Sequence, residues 1–458
     1  MNLIRTGQIR LFFLLFLAPS FLLGNWDFQI SEQVKNHIRE RVNEGYNVSI
    51  VVGVVDSHGT DFFACGKKSL DNNENVDENT LFEIGSISKV FTAAILADMV
   101  IRGELSLDDP IELFMPKHVS IPEKDGKKIT LKHLATHTSG FPMVPADFNP
   151  PDRSNPFFHY TINKVYNFLS GYTLESEIGE KFRYSDFGFG LLGHVLSLRA
   201  NMDFEQLLKE RVCDELGLKN TFINLSADLN KNLAKGHYDN IEVPNWNFAS
   251  LEACGALKST AKDLITFLSA NLGLRSSRLQ EALNLCHEPR FDVSKGRKIG
   301  LGWDITGNDG KVTLGKPGGT GGYRSYAGFS LEKKTGVVVL TNSARSVNDI
   351  ASHLLDSSNP LLILRKAILL DEEFLEKFVG KYQENPSTEI TISKEGRKLF
   401  FTPPGKNRKR EQIFPESELQ FFSKAHNLRL TFQMDESGTV KGCVAHLGQR
   451  NINLQKME

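Results

Sequence analysis

The spacing of apolar and polar positions changes character several times along this chain. Leu11 to Leu23 is nearly all apolar, broken only by Pro19 and Ser20, and it lies between the basic residues Arg5 and Arg10 and the small residue Gly24. That is the layout of a secretory signal peptide, residues 1–24, because the apolar stretch falls short of the ~20 residues a membrane span requires. No Cys follows to carry a lipid, so the expectation is a cleaved leader and an exported chain, periplasmic or secreted, with no later membrane span. Ser31 to Asn43 then reads as a helix and Val48 to Val55 as a buried strand, with Asp56-Ser57-His58-Gly59 turning into a partner strand at Asp61 to Ala64. A long, mostly polar, helix-rich stretch follows, broken by a Pro-rich loop from Phe141 to Pro156. Near residue 313 the strand signal returns, and Tyr323 to Phe329 and Val337 to Thr341 flank the turn Glu332-Lys333-Lys334-Thr335-Gly336. One strand pair early, helices in the middle and strands late predict an α+β domain, residues 25–365, whose ends meet in one antiparallel sheet.

From about Glu372 the texture differs. Glu389 to Ile392 and Lys398 to Phe401 flank a turn, and further strands are predicted at Gln420 to Phe422, Leu428 to Phe432 and Val440 to His446. Short strands at even spacing predict a separate small antiparallel sheet or barrel over residues 372–458. The basic run Lys406-Asn407-Arg408-Lys409-Arg410 falls between strands and reads as a solvated turn.

Composition narrows the partners. With 54 Lys and Arg against 55 Asp and Glu, the chain has no net field to draw nucleic acid or an anionic membrane. Five cysteines show no metal-ligand spacing and read as small buried hydrophobes, the odd number leaving at least one thiol free unless chains pair. Asn47-Val48-Ser49 and Asn224-Leu225-Ser226 fit the glycosylation pattern, which matters only in a eukaryotic secretory pathway. His133 and His137 lie four apart but lack the Glu of a zinc-protease helix, so no metal and no cofactor is expected. Sequence alone leaves the oligomeric state open.

Three Ser-x-x-Lys tetrads occur, at Ser86, Ser259 and Ser330. Ser330 falls at a hairpin end, and Ser259 with Thr260 reads as a cap for a helix starting at Ala261. Ser86 is different: it opens Val90 to Val100, a segment apolar nearly all round and therefore a buried helix. Ser86 and Lys89, three apart, share a helix face. A serine hydroxyl needs a neighbouring base to become a nucleophile, and desolvation is expected to lower the pKa of a buried lysine enough for that role. The same tetrad also fits an ordinary cap serine with a snorkelling lysine.

Two further stretches break the tie. Ser86-Ile87-Ser88-Lys89, Tyr184-Ser185-Asp186 and Lys316-Pro317-Gly318, in that order, resemble the three motifs of the serine penicillin-recognising enzymes, and most nearly those of class C β-lactamases and related low-molecular-weight penicillin-binding proteins. Arg102 to Pro110, Leu134 to Gly140 and Gly300-Leu301-Gly302-Trp303 resemble that family's connecting segments, so the likeness runs from about Val48 to Asn342. The resemblance implies a β-lactamase/transpeptidase-like antiparallel sheet flanked by helices, with a helical subdomain and a lipocalin-like C-terminal β domain. It implies Ser86 as nucleophile, Lys89 as its proton partner, Tyr184 as general acid/base and Lys316 as a cation lining the cleft. The Ser86 and Gly319 N–H groups would form the oxyanion hole, and Asp186, Gly318, Gly319 and Thr320 would contact substrate.

Two positions depart from the family pattern. Asp186 stands where an Asn is usual, putting a charge where an amide belongs, and Pro317 replaces a Thr, removing a hydroxyl and an N–H. Arg345 and Asn348, just after the last strand, are candidates for anchoring a substrate carboxylate. The expected reaction is acyl transfer on β-lactams or D-Ala-D-Ala-type peptides of peptidoglycan. An esterase or D-aminopeptidase of the same fold, or an inactive binding homologue, are the alternatives.

Overall fold

The computed structural model describes residues 29–307, 311–405, 410–448 and 450–457. The expected leader, residues 1–24, and most of the basic run, residues 406–409, lie outside the described residues.

Helix α1 (Glu32–Asn43) is capped by Ser31, whose side chain accepts from Val34 N, and leads into strands β1 (Ser49–Val55) and β2 (Thr60–Gly66). Late in the chain come β3 (Phe291–Ser294), β4 (Arg297–Ile299), β5 (Asp304–Thr306), β6 (Thr313–Gly319), β7 (Arg324–Ser330) and β8 (Thr335–Thr341). They form one antiparallel sheet of order β2-β1-β8-β7-β6-β5-β4-β3, in which the early pair joins the late strands through Val52↔Val339. Strand β1 is buried along its whole length because both faces are covered. Its alternate residues divide between two layers: Ile50, Val52 and Val54 pack with Ile38 of α1, while Val51 and Val55 join the large core of the helical insertion.

That insertion carries α2 (Ser88–Ile101), α3 (Asp186–Ala200) and α4 (Ala261–Asn271) between β2 and β3. Every residue of α2 from Ser88 to Met99 is buried, as its all-round apolar sequence demanded. Thr260 caps α4 by accepting from Asp263 N, so the second Ser-x-x-Lys tetrad is a helix start. Helix α5 (Asn348–Leu355) closes the domain against β8.

Strands β9 (Gly380–Gln383), β10 (Ile390–Glu395), β11 (Lys398–Thr402), β12 (Glu411–Pro415), β13 (Gln420–Ser423), β14 (Leu428–Met434), β15 (Val440–Leu447) and β16 (Arg450–Lys456) form a barrel, closed where Tyr382 of β9 pairs with Lys456 of β16. Closure satisfies every strand edge without a second sheet. One end of its interior is filled by Phe378, Tyr382, Phe421 and Phe432, with ring centroids 4.7–5.6 Å apart. The barrel is fastened to the first domain by polar contacts. Lys424 Nζ donates to the Glu44 carbonyl, and Asp239 Oδ2 accepts from Gln412 N at 2.7 Å.

Candidate active site

The Ser86 region is built by close backbone approach. A one-turn 3-10 segment, Gly85–Ile87, precedes α2, so Ser86 sits one turn ahead of the α-helix proper and Lys89 in its first turn. Gly85 has φ +50°, and a Cβ there would lie 2.5 Å from Gly319 N. A Cβ on Gly318 would lie 2.1 Å from Ile84 O. Glycine at both positions lets the Ser86 turn rest directly on the end of β6.

Five side chains converge there: Ser86, Lys89, Tyr184, Asp186 and Lys316. Lys89 Nζ donates to Ser86 Oγ at 3.1 Å, to Asp186 Oδ1 at 2.7 Å and to the Cys254 carbonyl at 2.6 Å. The Tyr184 hydroxyl donates to Ser86 Oγ at 2.7 Å. Lys89 Nζ lies 5.0 Å and Lys316 Nζ 5.2 Å from the Tyr184 ring centroid, so both ammonium groups flank the phenol. Asp186 opens α3, where Ser185 caps the helix by accepting from Gly188 N at 2.8 Å.

The electrostatics reverse one expectation. Burial by itself would depress the Lys89 ammonium, but the Asp186 carboxylate and the Tyr184 oxygen overcome it and hold the lysine above its usual pKa. Lys89 is therefore a fixed cation rather than a neutral base, and Asp186, expected to face substrate, is spent on it. Lys316 is 1% exposed and its Nζ lies 3.4 Å from Asp304 Oδ2, while Asp304 Oδ1 accepts from Arg297 Nη2 at 2.6 Å. Burial would raise the Asp304 carboxyl, but Lys316 and Arg297 outweigh that and hold it below the usual carboxylate range.

The edge of β6 gives a further datum. Strand β5 pairs with β6 only through Gly315, leaving Lys316 to Gly319 with one open edge. Proline in a sheet belongs where its missing N–H faces no partner strand, so the nitrogen of Pro317 faces that edge. Strand period two puts Gly319 N on the same side as Pro317 N, and the Gly319 backbone lies against Gly85.

Residues 34–356 match the family model described as Beta-lactamase, and residues 364–456 match a domain of unknown function, DUF3471. The chain belongs to the β-lactamase family. It is 28% identical over 349 residues to a β-lactamase of Escherichia coli (strain K12), covering 69% of this chain and 89% of that one. It is 26% identical over 335 residues to the D-alanyl-D-alanine-carboxypeptidase/endopeptidase AmpH of the same organism, covering 68% and 85%. Among solved structures, a β-lactamase/D-alanine carboxypeptidase from Pseudomonas syringae superimposes with TM-score 0.63 at 26% identity, over 72% of this chain and 99% of that one. A class C β-lactamase from Rhodobacter sphaeroides gives TM-score 0.62 at 25% identity, over 72% and 99%.

In this β-lactamase-family chain the two carboxylate-anchor candidates follow the end of β8. The Arg345 guanidinium stacks 5.8 Å over Tyr46 near the barrel, and Asn348 is exposed at the start of α5. The histidines serve structure: His133 Nδ1 accepts from Thr130 N, and His137 Nδ1 accepts from Ser185 N. Burial, with Lys316 and Lys89 adding to it, drives His137 well below its ordinary pKa, so a neutral ring packs 4.4 Å from that of Tyr184. Asp304 and Glu83 were not found from sequence, and His137 was met there only as half of a rejected metal pair and within a connecting segment. Glu83, buried beside Thr320, accepts from Trp246 N at 2.9 Å, tying the segment around residue 246 to the strand just before Ser86. Asp304 and Glu83 sit in no motif, so only the fold reveals them, and the Leu134 to Gly140 segment gave no role for His137.

All five cysteines are free, four of them buried. Among the described residues no group of His, Cys, Asp and Glu is arranged to hold a metal, and no helix is long and apolar enough to cross a membrane.

Proposed function

We propose that this chain is an exported serine hydrolase working through an acyl-enzyme on Ser86, with β-lactams or D-Ala-D-Ala-type peptides as substrates. The observation that carries the reading is a serine oxygen within hydrogen-bond reach of both a buried ammonium and a phenol. Ser86 Oγ attacks the carbonyl carbon while its proton passes to the Tyr184 oxygen, which acts as general base. The carbonyl π electrons move to oxygen, facing the Ser86 and Gly319 N–H groups. Collapse breaks the bond to the leaving group, which takes the proton from Tyr184. Water then repeats the sequence and frees Ser86. Lys89 and Lys316 act as fixed cations that stabilise negative charge on the Tyr184 and Ser86 oxygens.

The oxyanion assignment predicts a cost at Gly85. A methyl group there meets backbone, not a flexible side chain, so Gly85→Ala must part the Ser86 turn from β6. Acylation is expected to slow by about 10²-fold, as when one oxyanion donor is lost, with folding intact by circular dichroism. An unchanged stopped-flow acylation rate in a folded variant removes Gly319 from the hole.

Intact mass of the mature protein, sampled over time with a penicillin, tests the whole reading, with Ser86→Ala as the control. A lasting adduct on the parent alone marks a slow-deacylating peptidase, and loss of the penicillin without a standing adduct marks a β-lactamase. Neither adduct nor loss overturns the β-lactam substrate and leaves the esterase reading. Two observations already lean toward esters: Asp186 cancels one of the cations an anionic substrate would meet, and Pro317 takes an N–H from the open edge of β6.

A further inference from the structure

A cavity of about 610 Å³ lies between the barrel and the catalytic domain. That is the size of a small-molecule site. The barrel supplies inward-facing Ile390, Phe401, Leu428, Ala445 and Leu454, at the end opposite its aromatic plug. The catalytic domain supplies Trp246, Val243 and Gly321. An eight-stranded barrel has room for side chains or for one small ligand, and here side chains fill only one end. Of the Arg, Glu and His side chains in the wall, Arg153 is solvent-exposed and the other two satisfy each other, since Glu411 Oε2 lies 2.6 Å from His426 Nδ1 and accepts from Ser423 Oγ at 2.9 Å. The wall therefore asks for an apolar occupant. One donor is left over: Trp246 Nε1 is buried with no hydrogen-bond partner.

The position of the cavity says which part of a substrate would enter it. Along β6, Lys316 flanks Tyr184, which delivers the proton to the leaving group, so the leaving group lies at that end. Gly319 N, three residues on, marks the carbonyl oxygen. The acyl substituent then runs the other way, and Gly321, at most about 7 Å further along the chain, is already cavity wall.

We propose that this barrel-mouth cavity holds the acyl group of the substrate, and that the enzyme prefers esters or amides whose acyl part is an apolar chain of several methylenes. The proposal rests on Ser86 acylation and names the acyl side of that reaction. The chemistry is unchanged: the Ser86 Oγ–acyl bond forms, the bond to the alcohol or amine breaks, and the leaving group takes the proton.

The test uses the full chain and p-nitrophenyl acetate, butanoate and octanoate. Each buried methylene favours binding by about threefold to fourfold, so kcat/KM for octanoate is expected to exceed that for acetate at least tenfold. Leu428→Arg and, separately, Ala445→Arg place a charge in the cavity from two different strands and are expected to bring the octanoate/acetate ratio near one. Calorimetry of Ser86→Ala protein with octanamide and acetamide reads the cavity without turnover, with octanamide expected to bind at least tenfold more tightly. A parent ratio near one together with equal amide affinities overturns the proposal, as does an octanoate preference that survives in both folded Arg variants. Ser86→Ala protein that still hydrolyses acetate overturns the Ser86 reading instead, which the amide affinities do not depend on.

Discussion

Replacing Lys89 by methionine is expected to lower kcat/KM by about 10³–10⁴-fold, the range for losing a preorganised charge that acts with its neighbours as a unit. The same change is expected to destabilise the fold by about 3 kcal/mol, because the Asp186 carboxylate, 21% exposed, loses the ammonium 2.7 Å away. The two effects have different causes and separate in a double variant. Lys89→Met with Asp186→Leu replaces the pair by apolar groups and should recover most of the stability in urea unfolding, while the rate stays low. Recovery of rate along with stability would mean that Lys89 serves packing alone.

Asp186→Asn probes the same pair from the other side. With the carboxylate present, Lys89 titrates above its normal value. Its folded pKa being raised, its contribution to stability is complete below about pH 10.4, the unfolded value, and is lost only as pH rises through the folded one. Between pH 6 and 9 the pair therefore adds no pH dependence. In Asp186→Asn burial is left as the dominant influence, and it favours the neutral amine. The pH–rate profile of that variant is expected to gain an ionisation well below the normal lysine range, with Lys89 then able to take the serine proton. Superimposable profiles for parent and variant would deny Lys89 any electrostatic link to Ser86.

The reach of the sequence was uneven, for physical reasons. Strands covered on both faces, such as β1, and the all-round apolar α2 were legible because burial writes directly into residue type. The short strands β3, β4 and β5 were not. They lie at the sheet edge, and β3 and β4 alternate half-buried with exposed positions, so Asp292, Lys295 and Lys298 there look like loop. In the barrel, β9, β12 and β16 escaped for the same reason, Glu411 and Arg450 opening strands that a charge argues against. At the site, Ser86, Lys89, Tyr184 and Lys316 became candidates because three ordered motifs resemble those of the serine penicillin-recognising enzymes. The sign of the Lys89 shift was not legible, since it depends on Asp186, 97 residues away in the chain. A pKa argument from burial alone picks the wrong direction whenever an opposite charge shares the burial.

Tyr184→Phe is expected to lower kcat by about 10³-fold with little change in stability, since only the hydroxyl is lost and the ring keeps its contact with His137, 4.4 Å away. The size of the loss follows from Lys89 being a fixed cation. An ammonium held charged cannot accept the serine proton, and His137, neutral but engaged at Nδ1 by Ser185 N, packs against Tyr184 by its ring. In the proposed mechanism that leaves the Tyr184 oxygen, 2.7 Å from Ser86 Oγ, to carry the proton in both directions, toward the leaving group in acylation and from water in deacylation. Intact mass resolves the two halves. If Tyr184 serves both, the variant acylates slowly and any adduct that forms persists. A variant that acylates at the parent rate but fails to release the acyl group would confine Tyr184 to activating water, and would require Lys89 to lose its proton when substrate displaces the contact with Asp186.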